Sequence, residues 1–369
     1  MRIALSNTDV DLSGGVERVV AECANLLASR GHDVTVVAAR VDPKVLDPAV
    51  KVRLVPVPLA LDARTGLGFR SRAGRALREI DPDVHGAFSV LSPLGGVFWV
   101  PSVHRVGYDL LRSRRGLLGR LLMAVHPYHV VRLRLERTML APGGYSALLT
   151  QAEGVKADVV SVYGVPESDV EVLPLGFDDD VFNPGRRAEA RAAARARFGY
   201  GEGDRVVLFV GNELERKGWD TLMSAVAKLD DPSVRVLGAG RIAPEAPPPF
   251  VHWAGADQDV AQLHAAADAF ALPTRYEPWG LAIVEALGSG LPVVTTRLAG
   301  AAVAVDEGAT GRLLPDPDDE RALAEAIAWA MSEDHADPEA VSDSVRPYAW
   351  PGVVSRYTAI LEREASDGG

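Results

Sequence analysis

The stretch Arg2–Ala39, RIALSNTDVDLSGGVERVVAECANLLASRGHDVTVVAA, decides the fold. Arg2–Ser6 is a brief apolar run, the pattern of a buried strand. Gly15–Arg30 repeats apolar residues at helical spacing, with Val16, Val19, Val20, Cys23, Leu26 and Leu27 on one face. Gly31 stops the helix, and Asp33–Ala39 is β-rich. A strand–helix–strand unit opens a parallel sheet, because parallel neighbours need a long crossover. Working outward, Val50–Val57, Val84–Phe88 and Gly96–Val100 read as strands and Phe69–Ile80 as a helix. A second series follows: strands at Arg205–Val210, Val234–Leu237, Val251–Trp253, Ala269–Leu272 and Pro292–Thr296, with helices at Trp219–Leu229, Ala261–Ala267, Leu281–Leu287 and Glu320–Met331. The expectation is an α/β chain of two doubly wound parallel-sheet domains facing across a cleft, joined near the turn-rich Leu173–Asp178. An Ala/Arg helix is expected at Ala188–Arg197, and a frayed tail from Ser366.

Composition agrees and excludes other classes. A length of 369 residues fits two domains, and 47% hydrophobic with 24% charged residues is a folded-chain balance. The net charge of −11 is uneven. Residues 1–176 hold 21 Lys+Arg and 18 Asp+Glu, and the remainder 18 and 32. The acidic second half argues against broad nucleic-acid binding. The one cysteine, Cys23, can form neither an intramolecular disulfide nor a cysteine-based zinc site, and favours a reducing compartment. No run of about 18 apolar residues is present. The N-terminal run reads as a strand, not a leader, so a cytoplasmic protein is expected.

The chemistry concentrates in Pro273–Thr296, PTRYEPWGLAIVEALGSGLPVVTT. Pro278 keeps Glu277 extended. Trp279–Gly280 then opens a helix, and the N–H groups of Trp279, Gly280 and Leu281 form an anion site at its start. Gly280 permits close approach of a phosphate. Glu285 lies about one turn inside the helix, where it can accept from two ribose hydroxyls, and Glu277 can accept from sugar hydroxyls. Two glutamates at a helix entry otherwise serve as a solvated face that complements the helix dipole. Here the neighbours Leu281, Ile283, Val284, Ala286 and Leu287 are apolar, and a carboxylate in such company needs partners.

The run EPWGLAIVEALGSGLPVV resembles the E-x7-E signature of the family-4 glycosyltransferases, which have the GT-B fold of two Rossmann-like domains. The resemblance spans most of the chain: GGVER at Gly14–Arg18, RGHDVTVV at Arg30–Val37, GNELERKGWDTL at Gly211–Leu222 and GATGRLLPDPDD at Gly308–Asp319. It implies a nucleotide-sugar donor domain at 177–346. It implies an acceptor domain at 1–176 completed by a C-terminal helix within 347–369, from Trp350 and Gly352–Glu364. It further implies that Glu277 contacts the donor sugar, Glu285 the ribose, Arg216 and Lys217 the diphosphate, and Gly14 and Gly15 the diphosphate and acceptor through backbone N–H groups. His104, in the loop after Gly96–Val100, corresponds to a family histidine near the reacting sugar, where a neutral imidazole can donate to a hydroxyl or position the acceptor. Glu277, Lys217 and His104 are therefore the expected catalytic residues.

Arg216 and Lys217 also stand on their own chemistry. They follow a strand end, and a departing nucleoside diphosphate gains charge that fixed cations stabilise. The other reading is a surface pair in a charged turn. Many family members carry Gly-Arg where this chain has Gly211–Asn212, so one diphosphate contact falls to Arg216 or is missing. His252–Gly255 is the expected base pocket, and His32 a structural turn residue. Neither a dinucleotide fingerprint nor a Walker A motif occurs. Asp178–Asp180 and Asp316–Asp319 read as solvated caps, and neither a metal nor another cofactor is expected.

The segment Arg105–Arg137 holds eight arginines against Asp109 and Glu136, with leucines interleaved. It fits an anionic membrane surface (the inner face of the bilayer) or an anionic acceptor. It equally fits helix faces whose arginines snorkel to water.

The expected function is transfer of a hexose-like sugar from a nucleotide-diphosphate sugar to an acceptor hydroxyl. Retention of configuration is implied by the resemblance. The acceptor is open among a soluble small molecule, a glycan and a lipid-linked sugar. The alternatives are a nucleotide-sugar epimerase on the same fold, which needs a second acid besides Glu277, and a nucleotide-sugar-binding protein without catalysis.

Overall fold

The computed structural model describes residues 1–11, 14–57, 62–256, 259–332, 334–335 and 337–367, without the side chains of 62–67. The chain forms two compact units, Met1–Leu175 with Pro351–Gly369, and Gly176–Trp350.

The first unit holds seven parallel strands: β1 Arg2–Ser6, β2 Asp33–Ala38, β3 Lys51–Leu54, β4 Val84–Ala87, β5 Gly96–Val100, β6 Tyr145–Thr150 and β7 Val170–Val172. Their order in the sheet is β3-β2-β1-β4-β5-β6-β7, with β1 pairing β2 on one side and β4 on the other. The centre is apolar on both faces: Ile3, Leu5, Val34, Val36 and Val37 are buried, as helices on both sides of a parallel sheet require. Helix α1, Gly15–Ser29, lays Val19, Val20, Cys23 and Leu27 on the sheet as its periodicity predicts, while Val16 and Leu26 stay half-buried.

Other boundaries moved. The expected strand at Val50–Val57 pairs only over Lys51–Leu54, since Pro56 has no N–H for the ladder. Helix α2 begins at Asp62 rather than Phe69; Gly66 and Gly68 hide its periodicity. Between β5 and β6 the basic segment folds as three helices, α3 His104–Ser113, α4 Leu117–Val125 and α5 Pro127–Met139. Helix α6, Glu153–Tyr163, precedes β7.

The second unit opens with α7, Pro184–Phe198, capped by Asn183. Its six parallel strands are β8 Arg205–Val210, β9 Val234–Ala239, β10 Val251–Trp253, β11 Ala269–Leu272, β12 Val293–Thr296 and β13 Gly311–Leu314. Their order, β10-β9-β8-β11-β12-β13, repeats the plan of the first sheet. Helices α8 Trp219–Lys228, α9 Val260–Ala266, α10 Leu281–Gly288, α11 Glu320–Ala330 and α12 Pro338–Asp343 complete it. The last helix, α13, is ordered over Trp350–Asp367, where a frayed tail was expected from Ser366; residues 368–369 lie outside the described ones. Its Tyr357 is buried in the first unit against Trp99 and Phe88, with ring centroids 5.1 and 5.9 Å away.

Candidate functional site

In both sheets the chain builds outward from the first strand and then switches to that strand's other side. In the second unit the switch lies between β8 and β11, which are hydrogen-bonded neighbours. Loops leaving the carboxyl ends of such a strand pair diverge and leave a crevice that binds ligands in open α/β sheets. The loop after β8 is 211–218 and the segment after β11 is 273–280. Arg216, Lys217 and Glu277 lie on these two segments.

The structure brings the three together. The Lys217 ammonium donates to Glu277 Oε2 at 2.6 Å, and Arg216 Nη1 to the same oxygen at 3.3 Å. All three side chains are largely buried, 11–14% exposed. The aliphatic stem of Lys217 crosses Gly211 so closely that a Cβ there would sit 2.2 Å from the lysine Cδ. That position tolerates only glycine while the lysine keeps this course. Burial would lift the Glu277 carboxyl, but Lys217 and Arg216 outweigh it and hold it below the usual carboxylate value. Burial likewise works against the Arg216 charge, and Glu277 and Glu213 overcome it. Each of these two shifts favours the charged form of its group. Both cations meet Oε2, so Oε1 is the oxygen from which Glu277 can still accept.

Arg275 holds these segments in place, a role the sequence reading did not assign. It is 6% exposed. Its guanidinium pairs with Asp220 at 2.9 Å and with Asp318, and donates to Thr221 Oγ1 at 3.0 Å and to the Glu215 carbonyl. Its backbone N–H and the Thr274 hydroxyl both donate to the Arg216 carbonyl, at 2.8 and 3.2 Å. The two loops are thus laced at Arg216. Asp318, expected as a solvated cap, is a partner of this arginine. Asp319 does cap α11, and Asp178 accepts from the N–H of Asp180 and Val181.

Around Glu277 the backbone is extended and bridges Ala299. The helix begins at Leu281, not Trp279. Trp279 turns its indole inward, 5.4 Å from the Tyr348 ring, and its carbonyl accepts from Ala301. Gly280 caps α10 with φ 103°, a left-handed conformation that suits glycine. Among the described residues, the N–H groups of Trp279, Gly280 and Leu281 donate to no backbone carbonyl. Glu285 lies in the second turn of α10 and is 3% exposed.

The remaining expected residues are placed as follows. Asn212 Oδ1 accepts from the Arg241 N–H at 2.7 Å, a strap between two loops. His252 is exposed on the edge strand β10, with its ring 5.6 Å from Phe198. In the expected base pocket, the Ala254 N–H and the Gly255 carbonyl already bond Gly238 and Gly240.

Gly14 and Gly15 belong to the first unit, as N-cap and first residue of α1 at its own switch strand β1; residues 12–13 between them and β1 lie outside the described ones. His104 also belongs to the first unit, as the first residue of α3. Its Nε2 faces His129 Nδ1 at 3.1 Å. Burial, then Arg132 and His129, lower its pKa to about 4, so the imidazole is neutral at pH 7. Glu136, from α5, caps α3: it accepts from the N–H of His104 at 2.6 Å and of Arg105 at 3.1 Å, and from the Tyr163 hydroxyl.

Two doubly wound parallel sheets, each with its own switch point, define an α/β class of two Rossmann-like units, and the comparisons give the family. The model of Glycosyltransferase Family 4 matches residues 13–181 and that of Glycosyl transferases group 1 matches residues 204–333. The chain is 29% identical to a D-inositol 3-phosphate glycosyltransferase of Mycobacterium tuberculosis, over 88% of this chain and 71% of that protein. The fold matches WaaG, a glycosyltransferase of lipopolysaccharide biosynthesis, with a TM-score of 0.78 at 22% identity over 97% of this chain and 99% of that one. It also matches HepE of Anabaena in complex with UDP-glucose, with a TM-score of 0.71 at 17% identity over 98% and 99%. The protein thus carries a glycosyltransferase family-4 domain followed by a glycosyl transferases group-1 domain, and it has the GT-B fold.

Proposed function

We propose that the protein moves a hexose-like sugar from a nucleoside-diphosphate sugar to an acceptor hydroxyl, with retention and without a metal ion. The observation that carries this reading is the Glu277–Lys217–Arg216 cluster at the switch point of the second sheet, beside the N–H groups at the start of α10 that donate to no backbone carbonyl among the described residues. Those N–H groups suit a diphosphate. Lys217 has three donors and spends one on Glu277. The others, with Arg216, meet the charge that grows on the leaving phosphate. Glu277, fixed by two cations, accepts from donor-sugar hydroxyls through Oε1, and Glu285 takes the ribose. Gly14 and Gly15 serve the acceptor side, and neutral His104 donates to a hydroxyl there.

In this reading the bond from the anomeric carbon to the phosphate oxygen breaks and the bond to the acceptor oxygen forms on the same face. The acceptor's proton passes to the departing phosphate oxygen. The second unit holds the donor. The first receives the acceptor, a soluble molecule, a glycan or a lipid-linked sugar, and meets an anionic membrane surface through Arg105–Arg137.

The test is incubation with UDP-, GDP- and ADP-sugars, with and without acceptors, in the presence of a chelator. Acceptor-dependent release of nucleoside diphosphate, with the donor's anomeric configuration in the product, is expected. A changed sugar on an intact nucleotide, an inverted product, or release that stops with chelation overturns it.

A further inference from the structure

Helix α4 presents its apolar side outward. Leu117, Leu118, Leu121, Leu122 and Val125 are exposed, between 57% and 76%. At about 3.6 residues per turn these five positions form one continuous stripe. The opposite side carries Gly119 and Met123, the α4 residues that are partly covered. A surface helix of a globular protein is built the other way round, and an apolar patch of this kind marks an interaction site. Val130 on α5 is exposed as well, at 50%.

Charge identifies what the stripe meets. Helix α4 contains no carboxylate. The segment 105–137 sets eight arginines against two acids within a chain of net charge −11. Of those acids, Asp109 is paired with Arg105 at 2.6 Å and Glu136 is buried. Arg114 and Arg115 are exposed just before α4. Arg120 reaches back to the carbonyls of Arg115 and Ser113, at 2.9 and 3.0 Å, which fixes the turn entering the helix. Leucines outward, arginines beside them and no acid between is the composition of a helix that lies in a headgroup layer. A second copy suits the face poorly, since a twofold contact sets the same arginines against each other. No helix among the described residues is long and apolar enough to cross a bilayer.

We propose that α4 is a lipid-docking helix, which seats Leu117, Leu118, Leu121, Leu122 and Val125 in the surface of a bilayer bearing anionic headgroups while the flanking arginines contact those headgroups. This narrows the membrane partner to one helix and one lipid class, and it holds whether or not the sugar-transfer reading does.

The test is sedimentation of the full chain with phosphatidylcholine vesicles containing phosphatidylglycerol, against vesicles of phosphatidylcholine alone. Binding is expected to the anionic vesicles and to weaken at high salt. The double variant Leu118→Asp/Leu122→Asp and the double variant Arg114→Glu/Arg115→Glu are each expected to bind at least about tenfold more weakly, with the thermal midpoint unchanged. Should the aspartate variant lose its fold, Leu122→Cys carrying a polarity-sensitive fluorophore replaces it; Cys23 is fully buried and escapes labelling. Its emission is expected to shift to the blue on anionic vesicles. Wild-type protein left in the supernatant with both vesicles, full binding by the aspartate variant, an unshifted emission, or a vesicle-free dimer that the aspartate variant dissolves overturns the proposal.

Discussion

Glu136 in the first unit and Glu277 in the second are both withdrawn from water, Glu136 at 1% exposure and Glu277 with its side chain at 11%. Their partners differ in kind. Glu136 meets two backbone N–H groups and a tyrosine hydroxyl. Glu277 meets an ammonium and a guanidinium. Burial lifts the Glu136 carboxyl above its ordinary range in spite of its hydrogen bonds, whereas the two cations beside Glu277 overcome burial and hold it low. Three hydrogen bonds, with the Arg132 charge added, thus fail to offset the desolvation of a carboxylate here, and two directly paired cations succeed. Glu136 fastens a helix; Glu277 holds two cations together.

The widest break in that comparison comes from Lys217→Ala. Its ammonium is assigned to charge that grows in the transition state, so kcat is expected to fall about 10²–10³-fold, about 3–4 kcal/mol, in steady-state kinetics with the donor varied. A change confined to the donor KM would show that the lysine binds ground and transition states alike.

Glu136→Ala is the matching cut in the first unit. It leaves the His104 and Arg105 N–H groups and the Tyr163 hydroxyl without their acceptor. The expected loss is about 1–3 kcal/mol, read as a lower thermal midpoint. An unchanged midpoint would mean that water replaces the carboxylate at no cost.

These two glutamates also show what was legible in the sequence. The strands were, because a buried parallel strand is a short apolar run between turn residues whatever surrounds it; Gly96–Val100, Arg205–Val210, Val251–Trp253 and Ala269–Leu272 fall on their expected residues. Glu277, Lys217 and Arg216 were legible as types at strand ends, but not as a cluster. The separation of 60 positions from Lys217 to Glu277 is closed by sheet order, which local pattern does not encode. Arg275 was illegible for the same reason: its partners Asp220 and Asp318 lie 55 and 43 residues away. Glu136 read as one acid in a basic run, with no local sign that α5 turns it beneath α3. The leucines of α4 left two readings open, because apolar periodicity names a face but not the side on which the protein lies.

Acid separates the two carboxylates by sign. The folded-state value of Glu277 is depressed, so its stabilisation is present above the unfolded carboxylate value and lost as pH falls through the folded one. The folded-state value of Glu136 is raised, so its contribution is present below the unfolded value and lost as pH rises through the folded one. Measured between about pH 3 and pH 7, the advantage of wild type over Glu277→Gln is expected to shrink towards acid, and that over Glu136→Gln to grow. Slopes of the same sign for both would erase the distinction between directly paired cations and hydrogen bonds.

The smallest effect sharpens the comparison at His104, whose N–H Glu136 receives. Three neutralising influences act on its ring: burial first, then Arg132 and His129, and together they bring its pKa to about 4. Its imidazole is therefore expected to keep one proton and show no titration between about pH 5 and pH 8, where an unperturbed histidine changes charge; nitrogen chemical shifts of the imidazole read this directly. A midpoint near the ordinary histidine value would mean that the ring is wetter than its packing against His129 and Tyr128 indicates. A neutral ring donates through one nitrogen and accepts through the other. Since Nε2 already faces His129 Nδ1, the tautomer of His129 decides whether His104 can offer a proton to a hydroxyl, and the same spectra assign it.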